Sequence, residues 1–253
     1  MIGKIVLPLV PLRSTDSDRS EMTSQLLFGE CVEILETHQK WLLVRNIADN
    51  YVGWVDRKMI QLTSDMPVEN KGCVSVPIVA CQACDDTQIL FLPGGSKLDK
   101  THDNKVVINN KRFAFNTKQL LFSEINSAQK LVLLAMQYLN APYLWGGKSV
   151  FGIDCSGFTQ VIYDMCGIQL PRDASLQVEC GSVIDSIEHA EAADLAFFEN
   201  AEGRIVHVGL MINSHQIIHA SGWVKIENID YNGIISEQSA EYTHKLCAIK
   251  RIL

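Results

Sequence analysis

No stretch of the chain approaches the roughly 18 consecutive apolar residues that a membrane helix requires. The opening run Met1-Ile2-Gly3-Lys4-Ile5-Val6-Leu7 is too short for a signal-peptide core. Pro8 and Pro11 break it, and Arg13, Asp16, Asp18 and Arg19 follow without a small-residue cleavage site. The expectation is a cytoplasmic chain, with a periplasmic or secreted one open if a leader had been removed. Basic charge is in deficit, 22 Lys+Arg against 29 Asp+Glu, for a net −7. A chain without a basic excess lacks the electrostatic footprint for nucleic acid or anionic lipid. Cysteine is sparse, eight in 253 residues, about 3% against the roughly 8–10% of a disulfide scaffold. Most are expected as reduced, buried small hydrophobes. Cys81-Gln82-Ala83-Cys84 has no second pair at zinc-ligand spacing, so no structural metal is expected.

What remains is 47% apolar and 20% charged, a globular composition long enough for two or three small domains. Residues 1–65 predict short strands: Cys31–Glu36, Trp41–Arg45, and Tyr51–Val55 after the turn residues Asp49-Asn50. This is the pattern of a small barrel, with Trp41 and Trp54 in its core. Residues 66–122 repeat the style without repeating the sequence. Strands are predicted at Val74–Val79, Gln88–Leu92, Lys105–Ile108 and Arg112–Phe115, with a Pro93-Gly94-Gly95 turn and an Asn109-Asn110 hairpin. The linker is expected over Thr63–Gly72. At Glu124 the character changes. Asn126 or Ser127 caps a helix carrying Leu131, Leu134, Ala135 and Tyr138, which ends before Pro142. A second helix carries Phe158, Val161, Ile162 and Met165 and stops at Gly167, and a polar helix is expected over Ala174–Cys180. Strands close the chain at Asp194–Glu199, Arg204–Ile212, Gln216–Ala220 and Cys247–Ile252. Helices followed by strands predict an α+β unit over residues 123–253.

Gly152-Ile153-Asp154-Cys155-Ser156-Gly157-Phe158 puts a cysteine at a helix start, where the dipole and free backbone N–H groups favour a thiolate. A thiolate nucleophile needs a base and a group to orient that base. His207 interrupts the apolar strand Ile205–Leu210, and His219 sits in the next strand, across the turn Asn213–Gln216. Neighbouring strands bring such residues together. Cys155, His207 and His219 are therefore the candidate nucleophile, base and orienter. The other five histidines lie in polar contexts that call for no role.

The strings Ala141–Gly147, Gly152–Phe158, Leu170–Gln177, Asp194–Phe198, His207-Val208-Gly209 and Ile218-His219-Ala220 together resemble the NlpC-type cell-wall cysteine peptidases. That resemblance implies a papain-like catalytic domain and a Cys-His-polar triad acting on peptidoglycan stem peptides. Leu12-Arg13, Ser20–Glu30, Trp41 and Tyr51–Val55 resemble the bacterial SH3-like domain that precedes such peptidases, and residues 66–122 pass for a second, divergent SH3-like barrel. The arrangement is similar to the γ-D-glutamyl-L-diamino-acid endopeptidases of murein recycling. These release L-Ala-γ-D-Glu from peptides with a free L-alanine amine, the third residue being diaminopimelate or lysine. By the resemblance, Asp173 binds that ammonium with Tyr51 reaching in from the first barrel, and Tyr143, Trp145, Asp154, Ser156 and Ala174 line the pocket. No metal or organic cofactor is implied, and the partner is a muropeptide rather than nucleic acid or membrane.

Plainer roles stand beside these. Tyr51 is also suited to a barrel rim, Asp154 to a helix cap, and Asp173 with Arg172 to a surface pair. Two other functions fit the same residues: an acyltransferase or amidase using the triad, and a wall-binding module without catalysis.

Overall fold

The structure, a computed structural model, describes residues 1–63, 71–99, 105–108, 111–114, 120–121 and 127–253. Most of the expected linker, the Asn109-Asn110 turn, Phe115, Glu124 and Asn126 lie outside the described residues.

Alternating apolar residues build the first unit. Its strands are β1 (Ile2–Ile5), β2 (Leu9–Arg13), β3 (Met22–Leu27), β4 (Cys31–His38), β5 (Trp41–Asn46), β6 (Val52–Asp56) and β7 (Ile60–Thr63). They form one antiparallel sheet in the order β3-β2-β6-β5-β4-β1-β7. Ile5, Val10, Leu12, Leu26, Val32, Leu42, Val44 and Val55 fill its interior. Trp41 is buried, but Trp54 is only half-buried, because Gly53 and Val55 take the inward positions of β6.

The second unit comprises β8 (Lys71–Val74), β9 (Ile78–Ala83), β10 (Ile89–Pro93), β11 (Lys97–Asp99), β12 (Lys105–Ile108), β13 (Lys111–Ala114) and β14 (Leu120–Leu121). They make two small sheets, β10-β9-β13-β12 and β11-β8-β14. The strand predicted over Val74–Val79 is split at Ser75-Val76-Pro77, where proline cannot donate to a ladder. Phe28 of the first unit inserts into this core beside Val74, Val79, Leu92, Leu98 and Phe113.

The last unit holds α1 (Ala128–Met136), β15 (Lys148–Ser149), β16 (Gly152–Ile153), α2 (Cys155–Asp164), α3 (Ala174–Gln177) and β17 (Ser182–Val183). Then come β18 (Leu195–Glu199), β19 (Ile205–Asn213), β20 (Gln216–Ser221), β21 (Trp223–Asp230), β22 (Gly233–Ile235) and β23 (Tyr242–Arg251). The sheet order is β17-β23-β18-β19-β20-β21-β22, and β22 pairs back onto β23 to close it. Period-2 alternation gives this closed sheet two faces. Leu195, Phe197, Val208, Leu210, Ile218 and Ala220 pack outward on Leu131, Leu134, Phe158 and Val161 of the helices. Ala196, Phe198, Met211, Ile217, Ile229 and Ile234 point into the interior. Helix α1 is capped by Ser127, whose Oγ accepts from Lys130 N at 3.4 Å. The helix stops well before Pro142, and the chain turns through Asn140 in the left-handed region, φ 69°. Helix α3 is a single turn, shorter than expected.

The first unit is fastened to the last through β3 and the β5–β6 turn. Gln25 Oε1 accepts from Lys148 N at 2.8 Å, Ser24 Oγ from Arg172 Nε at 2.9 Å, and Asp49 Oδ2 from Gln160 Nε2 at 3.0 Å. At Gly146, φ 76°, a Cβ would lie 2.4 Å from the Met22 carbonyl oxygen, so only glycine allows this approach.

Candidate active site

Asp154 is the N-cap of α2, with Oδ1 accepting from Gly157 N at 2.7 Å. Its Oδ2 accepts from Gly146 N at 2.8 Å and from Arg172 Nη2 at 2.5 Å. Arg172 also donates from Nη1 to Ser156 Oγ at 2.8 Å. Arg172 is therefore a buried strut, 2% exposed, and not half of a surface pair. Asp154 and Ser156 together hold the turn before the helix. Gly157 belongs to the same construction, since a Cβ there would meet the Gly147 carbonyl oxygen at 2.3 Å.

That turn delivers Cys155 to the first position of α2, with the Ser156 and Val208 amides directed at its sulfur. Val208 follows His207 on β19. The expected thiolate is not the resting form. Burial outweighs the helix start and, with Asp154 nearby, pushes the Cys155 thiol up to about 11.

His207, His219 and Glu227 share the inward face of the closed sheet with Met211, Ile217 and Ile229. His207 Nε2 lies 2.9 Å from His219 Nδ1, and His219 Nε2 lies 2.9 Å from Glu227 Oε2. Gly209 makes the pairing fit, since a Cβ there would stand 2.8 Å from His219 Cβ. Burial, reinforced by His219, His244 and Lys225, holds His207 well below the ordinary imidazole range. Burial lowers His219 as well, against the pull of Glu227. The resting site is thus a thiol with neutral imidazoles. Alkylation of Cys155 by iodoacetamide, followed by mass spectrometry of its peptide, should rise with pH through an inflection above 9. A rate already level below pH 7 would instead require a preformed thiolate–imidazolium pair.

His244 does have a place. Half-buried on β23, it stacks on His207 with ring centroids 4.2 Å apart at 30°. The polar surroundings of Tyr242–Lys245 hid it, because the pairing of this strand with β18 and β22 is long-range. Glu227 was missed for a different reason. The strand Trp223–Asp230 alternates, and its inward phase sets a carboxylate where an apolar residue belongs, which was the available signal.

The remaining residues come from the β5–β6 turn, the loop between α1 and β15, and the start of α3. Tyr143 is half-buried beside Cys155. Ala174 is buried at the start of α3, and Trp145 is exposed. Trp145 Nε1 donates to Glu21 Oε1 of the first unit at 2.6 Å, a partner the sequence did not suggest. Tyr51 reaches across from the β5–β6 turn, with Thr23, Asp173, Arg172 and Asp154 around its hydroxyl. Asp173 is half-buried and occupies the N-cap position of α3, yet its side chain makes no capping hydrogen bond.

A thiol at a helix start, set against a closed antiparallel sheet that carries an imidazole and its orienting ring, defines a papain-like cysteine hydrolase. Residues 140–245 match the NlpC/P60 family and residues 12–60 the bacterial dipeptidyl-peptidase SH3 domain. The protein is a cysteine peptidase with an NlpC/P60 domain behind a bacterial SH3 domain. It is 28% identical over 243 residues to the γ-D-glutamyl-L-lysine dipeptidyl-peptidase of Bacillus subtilis, covering 90% of this chain and 80% of the relative. It is 29% identical to dipeptidyl-peptidase 6 of Lysinibacillus sphaericus, over 80% of this chain and 81% of that one. The crystal structure of an NlpC/P60 family protein from Bacillus cereus shares the fold across the full length of both chains, with a TM-score of 0.85 at 20% identity.

Proposed function

We propose that the protein hydrolyses the γ-D-glutamyl–L-diamino acid bond of peptidoglycan stem peptides whose L-alanine amine is free, releasing L-Ala-γ-D-Glu. The observation that carries this reading is the carboxylate of Asp173, half-buried near Tyr51 and without a capping hydrogen bond. Burial raises the Asp173 carboxyl, and its nearest cation, Arg172, is already committed to Asp154. A substrate ammonium supplies the missing counter-charge, and Tyr51 closes the pocket to anything longer.

In the reaction, His207 takes the Cys155 proton as sulfur attacks the γ-carbonyl carbon, then gives it to the leaving amine. Water hydrolyses the acyl-enzyme by the same route in reverse. Backbone N–H groups at the start of α2 receive the oxyanion. The departing diamino acid has an open hollow of about 330 Å³, lined by Tyr143, Val206, His207, Ala220, Ser221, Gly222 and His244. Burial and His219 hold His244 down at about 4, so this lining is neutral near pH 7. We further propose that this work is done in the cytoplasm.

The test uses L-Ala-γ-D-Glu-L-Lys and its diaminopimelate counterpart, each free and N-acetylated, with products read by mass spectrometry. A charge-assisted hydrogen bond contributes about 1.5–3 kcal/mol. Acetylation should accordingly lower kcat/KM at least about tenfold, and Asp173→Ala should narrow that gap. Equal cleavage of acetylated and free peptides would make the protein a hydrolase of intact wall and return Tyr51 to barrel packing.

A further inference from the structure

Glu227 lies in β21, 3% exposed, at the far end of the chain of contacts from the thiol. Its Oε2 is 2.9 Å from His219 Nε2. Its Oε1 is 3.1 Å from the Lys225 ammonium and accepts from Glu237 N at 3.3 Å. We propose that Glu227 is a positioning residue that dictates the tautomer of both imidazoles, and thereby leaves His207 with a bare nitrogen for the thiol proton. The inference rests on the reading of Cys155 and His207 as nucleophile and base.

Donors and acceptors fix the tautomers one after another. A carboxylate only accepts, so His219 carries its proton on Nε2. In a neutral ring Nδ1 is then an acceptor, and the 2.9 Å contact requires His207 to donate from Nε2. His207 Nδ1 is left without a proton. Reversing the first hydrogen bond reverses every later one and puts a proton on the nitrogen meant to receive one. The ionisable groups facing this chain are His244 on β23 and Lys225 on β21. Lys225 keeps Glu227 an anion: with His219 it holds the carboxyl down at about 2, despite its burial.

Lys225 also makes the two simplest variants behave contrary to size. In Glu227→Gln the amide nitrogen avoids the Lys225 ammonium, so the carbonyl turns to Lys225 and the NH₂ to His219. This forces the inverted tautomers. In Glu227→Ala water enters, and water donates or accepts as needed. The isosteric variant should therefore be the worse of the two, whereas a packing role predicts the reverse.

Two-bond ¹H–¹⁵N correlation spectra of the full-length protein, with no substrate, report ring protonation directly. The wild type should show His207 and His219 protonated at Nε2, and Glu227→Gln should show both at Nδ1. With L-Ala-γ-D-Glu-L-Lys, Glu227→Gln should lose at least about 100-fold in kcat/KM and Glu227→Ala less. Lys225→Met/Glu227→Gln, freed of the ammonium, should regain at least about tenfold over Glu227→Gln. An Nδ1 proton on His207 in the wild type would overturn the proposal whatever the variants do. So would a well-folded Glu227→Gln with unaltered tautomers and a smaller loss than Glu227→Ala. The ring spectra need no turnover, so they stand apart from the peptidase reading, which fails separately if Cys155→Ala still cleaves.

Discussion

Cys155→Ala should lose about five to six orders of magnitude in kcat/KM while keeping its thermal transition. The loss follows from the division of labour, because no other group at the start of α2 can form the acyl-enzyme. Removing a nucleophile that works as one unit with its base eliminates nearly all covalent catalysis. For the same reason His207→Ala should be almost as damaging, and the double variant hardly worse than either single one. The fold should tolerate the change, since the turn around Cys155 is held by Asp154 and Arg172 rather than by the sulfur. Cys166 gives the contrast. It is a core residue with no exposure, so Cys166→Ala should cost about 1 kcal/mol of packing and leave turnover in place. The measurements are kcat/KM on the free tripeptide and the midpoint of urea unfolding. Activity of Cys155→Ala within tenfold of wild type would remove it from the mechanism.

The candidates Cys155, His207 and His219 stood out because each broke a local pattern. A cysteine between glycines at a helix start and two histidines inside apolar strands are costly unless used. The first barrel was legible from alternation and turn residues. Three features were hidden, each for a physical reason. The thiol's charge state depends on burial by residues far apart in sequence, so the helix-start argument alone gave the wrong sign. Trp223–Asp230 went unread because its inward positions mix Glu227 with Ile229, and closure of the sheet through β22 and β23 is a long-range pairing. Arg172 reads as a surface residue in any sequence. It is buried only because Asp154 and Ser156 at the start of α2 and Ser24 of β3 converge on it from two separate segments.

Arg172→Met should cost about 3–5 kcal/mol of stability, the largest effect expected of any single substitution outside the nucleophile and base. Methionine keeps much of the volume and removes the charge. Asp154 is then left 4% exposed, retaining the Gly146 and Gly157 amides but no counter-ion. Ser156 Oγ and Ser24 Oγ lose a donor at the same time. Arg45 and Glu33, a solvent-exposed pair at 2.9 Å, provide the control, because Arg45→Met should change urea unfolding little. Asp154→Asn/Arg172→Met should recover part of the loss by removing the stranded anion. The effect should also reach the substrate. Ser24 belongs to β3, so Arg172 seats the first barrel against the turn that carries Cys155, and its neighbour Asp173 opens α3. Where the variant still folds, the preference for a free over an acetylated L-alanine should shrink together with kcat/KM. A loss below about 1 kcal/mol with that preference intact would mean the barrel is seated without Arg172, by contacts such as those of Gln25, Asp49 and Glu21.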